Sequence, residues 1–467
     1  MHLKKQRYRL SRLVVLATLI GMGTPVAAAD EDAAPQAASS KKTSKSKKPK
    51  KGVTLKLDRL RAEAGGFLDN NAPSSSNYLH GMASINWQPS REWEFQAAAR
   101  FDGYSQSGTP NFARGTADVG ETYARWRGDD VRFTIGAQNI SWGRVDEIPP
   151  TDRMSRVDAS RFVLDSLADR RRATPALRLE KFSEDWKLDL VAVPSFIPAR
   201  LPSEKSVWHP IDKSRGRILG VEPSAALGYL VSNGTFAEDN SGSGGAGFRA
   251  TRTGGAVDYG FSLQYARPST PYYRINPDFR ANLALSGGNV AAALAATSGP
   301  PFTAIYPHAW VAGGELEFQA KGATWRLEAA YTSDAPATTQ DLRYITPASL
   351  DVVGGVEFFP GDGETRVTAQ LAAHRLQTSE RLLERKTFYG LNGELEHTFG
   401  QGNWRANLRF FTGLNARDNY FNPKISYLGF EPHEIYLGAH LFSGNERALG
   451  GFHQDHDLVV LGWQVRY

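Results

Sequence analysis

The sequence predicts an all-β protein: a transmembrane antiparallel β-barrel of about 18 strands with long extracellular loops. Three observations carry this. Apolar and polar residues alternate with a period of two in segments of about 10 residues, the length of a tilted membrane strand. Tight turns alternate with long connections along the chain. Trp93, Trp186, Trp325 and Trp404 each open a strand directly after a short turn, which places an aromatic girdle at one membrane interface.

Residues 1–29 read as a signal peptide, not as structure. Lys4, Lys5, Arg7, Arg9 and Arg12 form the basic end, Leu13 to Gly23 the apolar run, and Ala27 to Ala29 a small-residue cleavage site. The apolar run falls short of the ~20 residues that a membrane helix needs. Residues 30–52 combine Ala, Ser, Lys and Pro without an aromatic residue, and are expected to form a disordered, Lys-rich periplasmic tail. It is either a solvated charge run or a contact for anionic cell-envelope polymer or lipid.

The formal net charge of +6 misleads, because five basic residues lie in the leader and seven lysines between Lys41 and Lys51. The remainder is slightly acidic, which argues against nucleic acid as a partner, since binding phosphate needs basic charge clustered on the folded body. The chain has no cysteine, so no disulfide, thiolate nucleophile or cysteine metal site is available.

Residues 53–467 read as the barrel. In the strand from Trp93, Trp93, Phe95, Ala97, Ala99 and Phe101 share one face, and Glu94, Gln96 and Arg100 the other. Val367, Ala369, Leu371 and Ala373 oppose Arg366, Thr368, Gln370 and His374 in the same way, and Trp310, Leu316 and Phe318 oppose Glu315, Glu317, Gln319 and Lys321. A soluble sandwich alternates too, so the turn and girdle signals are needed to choose the barrel. The inward set then includes Arg100, Glu315, Glu317, Arg366, Glu394, Glu396, Arg405 and Arg409. The final segment, from His456 to the aromatic Tyr467, resembles the C-terminal signal of bacterial outer-membrane barrels.

Seventeen strands are obvious, which is odd, and single-chain bacterial barrels are even. The best hidden strand is Phe421 to Leu428, with a tight turn over Gly429 to Pro432, which makes 18 with eight tight turns and nine long loops; sixteen stays open. About 18 strands enclose an aqueous lumen unless something fills it.

Three connections are too long for simple turns: 140–174, 195–244 and 267–309. The second carries Trp208, His209 and Tyr229 and suggests a partly ordered fold-in; the Ala-rich run from Ala281 to Ala296 in the third reads as a short helix or a disordered loop. The first is a charged insert. Within it Ser160, Val163, Leu164 and Leu167 recur at helical spacing, and Pro149-Pro150 forces an extended approach. Arg144, Arg153, Arg156, Arg161, Arg170, Arg171, Arg172 and Arg178 stand against Asp146, Glu147, Asp152, Asp158, Asp165 and Asp169. Such density is costly in lipid and belongs in water or in the lumen. With Trp142 these residues, Arg178, Glu147 and Asp169 aside, form the candidate constriction, where opposed charges would set a transverse field and a size limit. A salt-bridged plug without selectivity is the competing reading.

Ser141 to Asp146, Pro150 to Asp152, Asp158, Arg161-Phe162, Asp165, Arg170 to Arg172 and Pro175 to Arg178 resemble the loop signature of a proteobacterial porin-like barrel family, itself distantly similar to alginate-export barrels. The resemblance implies an outer-membrane channel and supplies no substrate.

No Gly-x-Ser-x-Gly or phosphate-cradling motif appears, and no enzyme or cofactor is expected. His453, Asp455 and His456 could bind a metal, but a polar external loop is the better reading. The expectation is a bacterial outer-membrane channel for small polar or organic solutes. A polysaccharide or other export pore and a structural or adhesive barrel are the alternatives. Expected partners are outer-membrane lipid and lipopolysaccharide, and the barrel-assembly machinery through the last strand.

Overall fold

The computed structural model describes residues 52–466. The leader, all of the tail except Gly52, and the terminal Tyr467 lie outside the described residues. The wall is built from β1 (Gly52–Phe67), β2 (Ser75–Gln88), β3 (Trp93–Ser107), β4 (Phe112–Val119 and Thr122–Arg127), β5 (Val131–Gln138) and β6 (Thr174–Phe182). It continues through β7 (Trp186–Val193), β8 (Gly245–Arg252), β9 (Val257–Ala266), β10 (Ala309–Ala320), β11 (Ala323–Thr332) and β12 (Ala348–Phe358). The last six are β13 (Thr365–Gln377), β14 (Thr387–Phe399), β15 (Trp404–Gly413), β16 (Asp418–Phe430), β17 (His433–Gly444) and β18 (Leu458–Arg466).

Each strand pairs antiparallel with its neighbours, and β1 pairs with β18 from Arg59↔Arg466 to Phe67↔Leu458, so the sheet closes as an 18-strand barrel. Closure removes the edges and satisfies the backbone polar groups, as hydrocarbon demands. The two parts of β4 both pair with β3 and count as one strand interrupted at Gly120. There the Gly120 N–H donates to the Ala98 carbonyl (2.8 Å) and the Ala98 N–H to Thr122 Oγ1 (3.1 Å), so the interruption leaves β3 paired.

The hidden strand is β16. Pro423 has no N–H to donate and breaks the apolar pattern, while the side-chain amide of the preceding Asn422 donates to the Ala439 carbonyl (2.8 Å) across the gap. The tight turns fall near the expected positions. Between β10 and β11, Ala320 faces Ala323 across Lys321 (φ 53°) and Gly322 (φ 75°), a two-residue hairpin of the kind that matches strand twist.

The burial pattern is the reverse of a soluble core. Leu79, Phe101, Leu190, Phe261, Leu371 and Leu461 point outward and are exposed, whereas Asp102, Gln264, Glu328 and Gln370 point inward and are buried. An apolar outer face around a polar interior is the surface of a membrane barrel. Trp93, Trp325 and Trp404 are exposed at the tight-turn end, and Trp186 shares the outward parity of Leu188 and Leu190. Trp310 and Tyr265 pack in a tilted arrangement at the other end (5.1 Å between centroids), with Tyr331 and Tyr389 also exposed outward. No helix among the described residues is long and apolar enough to cross a membrane.

At the loop end the long connections fold together. The second contains α2 (Ala225–Asn233), and the third α3 (Pro277–Leu285) and α4 (Val290–Ala296), which settles its Ala-rich run as helical. Leu230, Val231, Phe279, Ala293 and Phe302 form the buried core of this cap. The polar-loop reading of His453 and His456 is corrected. Both imidazoles are buried after α5 (Leu449–Phe452), among Trp208, Phe162, Phe442 and Phe452, because the second connection and the insert fold over them.

Candidate functional site: the lumenal insert

The insert leaves β5, enters the barrel and returns at β6. Its side chains reach β1, β4, β7, β10, β11, β12, β13 and β15, a set that only a segment inside the closed wall can contact together. The helical reading of its middle is corrected. Arg156–Val157 pairs antiparallel with Arg171–Arg172, and only a 3-10 turn at Phe162–Leu164 and the four-residue α1 (Leu167–Arg170) are helical. Ladder bonds and ion pairs to the wall replace the continuous helix. Ser160, Leu164 and Leu167 are nonetheless each buried, and Leu164 packs in one cluster with partly buried Val163.

Entry is fixed by an apolar anchor. Trp142 is 1% exposed, packs with Ile140, Met154, Val191 and Val193, and donates its indole N–H to Asp189 (3.2 Å), which Arg178 also holds. The next anchor is a carboxylate. Glu328 of β11 is 0% exposed and accepts the backbone N–H groups of Arg144 (2.9 Å), Val145 (3.3 Å) and Thr151 (2.8 Å) and the Thr151 hydroxyl (2.6 Å). A Cβ on Gly143 (φ +103°) would lie 2.6 Å from this carboxylate, so the close approach requires glycine.

Ion pairs fix the remainder. Arg144 meets Glu315 (3.0 Å) and Glu317 (3.6 Å), Arg153 meets Asp351 (3.2 Å), and Arg156 meets Asp118 (3.2 Å). Arg161 bonds Asp165 (3.0 Å) and Glu63 and lies 4.0 Å over the Tyr78 ring, while Asp165 also takes Arg61 (3.0 Å). Within the insert, Asp152 pairs with Arg171 (2.7 Å), Asp158 with Arg172 (2.9 Å), and Arg170 with Glu147 (3.5 Å). Burial alone would push the Asp165 carboxyl up, but Arg161 and Arg61 overcome it and hold it well below the usual carboxylate range.

Asp146 keeps the most solvent of these carboxylates, at 59% side-chain exposure; it accepts from Gln370 (3.0 Å) and faces Arg326 at 4.0 Å. Beside it Glu147 faces Arg409 at 3.7 Å. Acidic residues of the insert thus stand opposite arginines of the wall.

Four of the inward residues singled out in the wall pair with one another, Arg366 with Glu394 and Arg405 with Glu396. Arg366 donates to Glu394 (2.7 Å), and Arg405 meets Glu434 (3.3 Å) and Glu396 (3.7 Å). Arg100 binds Asp102 (2.7 Å) beside His80 and Tyr78. Sequence reasoning missed Glu63, Arg61 and Glu328. Their signal is the same period of two: Thr324, Arg326 and Glu328 alternate with Trp325 and Leu327 along β11. Among the described residues, no group of three His, Asp or Glu side chains is placed to hold a metal ion.

The fold is a closed antiparallel barrel of 18 strands with an apolar outer face and a polar interior. No protein-family model and no curated protein matches the chain. Among solved structures the barrel is similar to OccAB1 of Acinetobacter baumannii, with 10% identity over 89% of this chain and 96% of that one and a TM-score of 0.45. It is also similar to OmpF of Salmonella typhi in complex with daunomycin (7% identity, 89% and 97% coverage, TM-score 0.43). A third is Wzi of Escherichia coli, an outer-membrane, carbohydrate-binding β-barrel involved in group 1 capsule assembly (12% identity, 88% and 85% coverage, TM-score 0.43).

Proposed function

We propose that the protein is a channel of the bacterial outer membrane for passive passage of small polar or organic solutes, with the 140–174 insert as its constriction. One observation carries the reading: Asp146 and Glu147 of the insert, Asp146 the more solvent-accessible, pair inside the barrel with Arg326 (4.0 Å) and Arg409 (3.7 Å) of the wall. Opposed charges held rigidly at a narrowing impose a transverse field on whatever passes, which selects by size, charge and dipole. The dense tethering to the wall supports a fixed narrowing over a loose loop. Trp142, Arg144, Arg153, Arg156, Arg161, Arg170, Arg171 and Arg172 act in this reading by holding the insert. The lumen pairs charges of both signs, as in Arg366–Glu394 and Arg405–Glu434, which favours a small-solute channel over an export pore needing a continuous track of one sign. The distant likeness of the loop motif to alginate-export barrels keeps that pore as the second reading.

In this reading residues 1–29 are removed on export, the Lys-rich tail lies in the periplasm, and the tight turns face the same side. Lipid and lipopolysaccharide surround the apolar belt, and the last strand is offered to the assembly machinery. Single-channel conductance in planar bilayers tests the function, with the intact protein and a variant lacking residues 144–172. Discrete conductance that rises on deletion is expected; electrical silence of both removes the channel.

A further inference from the structure

The loop end encloses a second site. A cavity of about 310 Å³ lies between the two long loops, the connections after β11 and β13, and the insert. Phe162, Leu227, Phe302 and Leu383 give it apolar walls, and its polar groups converge at Tyr272 and Glu384. This volume is at the small end of the ~300–1,000 Å³ range of ligand pockets, which limits the occupant to a ring-sized body.

The polar end is incompletely satisfied. Glu384 Oε1 accepts the Tyr272 hydroxyl (2.7 Å) and Oε2 the Thr338 backbone N–H (3.1 Å). A carboxylate has about four acceptor positions, so lone pairs remain free. By contrast Glu63 and Asp165 are bound by arginines, and Glu328 by four donors. Among the described residues no cationic side chain forms an ion pair with Glu384, and burial pushes its carboxyl up from the ordinary range. Apolar walls around an acceptor that lacks a counter-charge select a ligand with one donating head.

We propose that this chamber is a binding site for a small organic amine or alcohol, its apolar ring packed against Phe162, Leu227 and Phe302 and its N–H or O–H donated to Glu384. A carboxylate head is excluded by repulsion from the same group. The floor residue Phe162 holds a left-handed backbone (φ +49°) next to Arg161, which is tied to Glu63, so an occupant presses on the insert itself. That the ligand is also a solute delivered to the constriction rests on the channel reading; the binding site does not.

The test is calorimetric titration of the full-length protein in lipid nanodiscs with phenethylamine, 2-phenylethanol and phenylacetate, which share one ring and differ in the head. The amine and alcohol are expected to bind and phenylacetate not to. Glu384→Gln weakens the amine at least about tenfold, the loss of one hydrogen bond to a charged group. Thr270→Trp, at an exposed lining position, fills the chamber and removes both. Absence of binding by the amine and the alcohol, equal binding of phenylacetate, or indifference of affinity to both substitutions in folded barrels overturns the site. Conductance of the same preparations judges the channel separately: a barrel that binds the amine but never conducts retains the site and loses the channel.

Discussion

Glu328 Oε1 receives both the backbone N–H and the side-chain hydroxyl of Thr151, at 2.8 and 2.6 Å, so one wall carboxylate clamps a residue of the lumenal insert twice. Its other oxygen takes Arg144 and Val145. Substituting Glu328→Ala therefore leaves several buried donors unpaired, each costing about 1–3 kcal/mol. Hydrogen exchange should accelerate at Arg144, Val145 and Thr151 while the wall strands keep their protection. Unchanged exchange at these amides would show that the insert is held elsewhere.

Gly143→Ala should reproduce that loss by a different route, because the new methyl meets the Glu328 carboxylate and the residue keeps a positive φ. Two substitutions that break one contact are not additive. The Gly143→Ala/Glu328→Ala double variant should be scarcely less stable to denaturant than the worse single variant.

Asp146→Asn combined with Glu147→Gln removes two accessible negative charges opposite Arg326 and Arg409. The field at the narrowing then becomes more positive, and the channel should shift toward anions. Reversal potential in a salt gradient measures this; a potential identical to that of the intact protein would place the ion path away from Asp146.

Acid should loosen the cap. Burial, with Arg215 adding to it, pushes the His456 imidazole down to about 4, and burial with His456 beside it holds His453 well below its ordinary value. The unfolded state, with an imidazole near ~6.5, then binds more protons than the folded one. The neutral-His contribution is complete above that value and is lost as pH falls toward 4. Exchange protection around residues 449–456 should drop over this window, and His456→Gln should flatten the dependence.

On the outer face, Leu371→Arg sets a charge on the lipid side of β13, where Leu371 is exposed. Folding into vesicles should lose about 2–4 kcal/mol if the site lies near the bilayer midplane. His374→Arg, three residues away, facing inward and partly exposed beside Asp351, should cost far less, and equal costs would contradict the parity of the strand.

The strands were legible in the sequence because a barrel wall is built locally. Each residue faces lipid or lumen by parity alone, so Trp93, Leu371 and Glu394 announce their side without knowledge of any neighbour. Even β16 could be inferred, since closure requires an even count, although Pro423 obscures its pattern. The insert's composition was equally plain, as fourteen charged residues between Arg144 and Arg178 cannot lie in lipid. Its conformation was not: the spacing of Ser160, Val163, Leu164 and Leu167 suggested a helix, but pairing of Arg156–Val157 with Arg171–Arg172 and long-range ion pairs to the wall prevailed.

By itself, then, the sequence determined the barrel, a count of about 18 strands, its two faces and the charged segment that must lie in water or in the lumen, because period-two alternation and turn chemistry are local properties. Only the tertiary structure decided which partners receive the insert. Thr151 and Glu328 stand 177 residues apart in the chain and Arg161 and Glu63 98, and His453 becomes buried only when the second long connection and the insert close over it. Those contacts arise when closure brings strands from opposite ends of the chain around one lumen, and no local periodicity encodes that meeting.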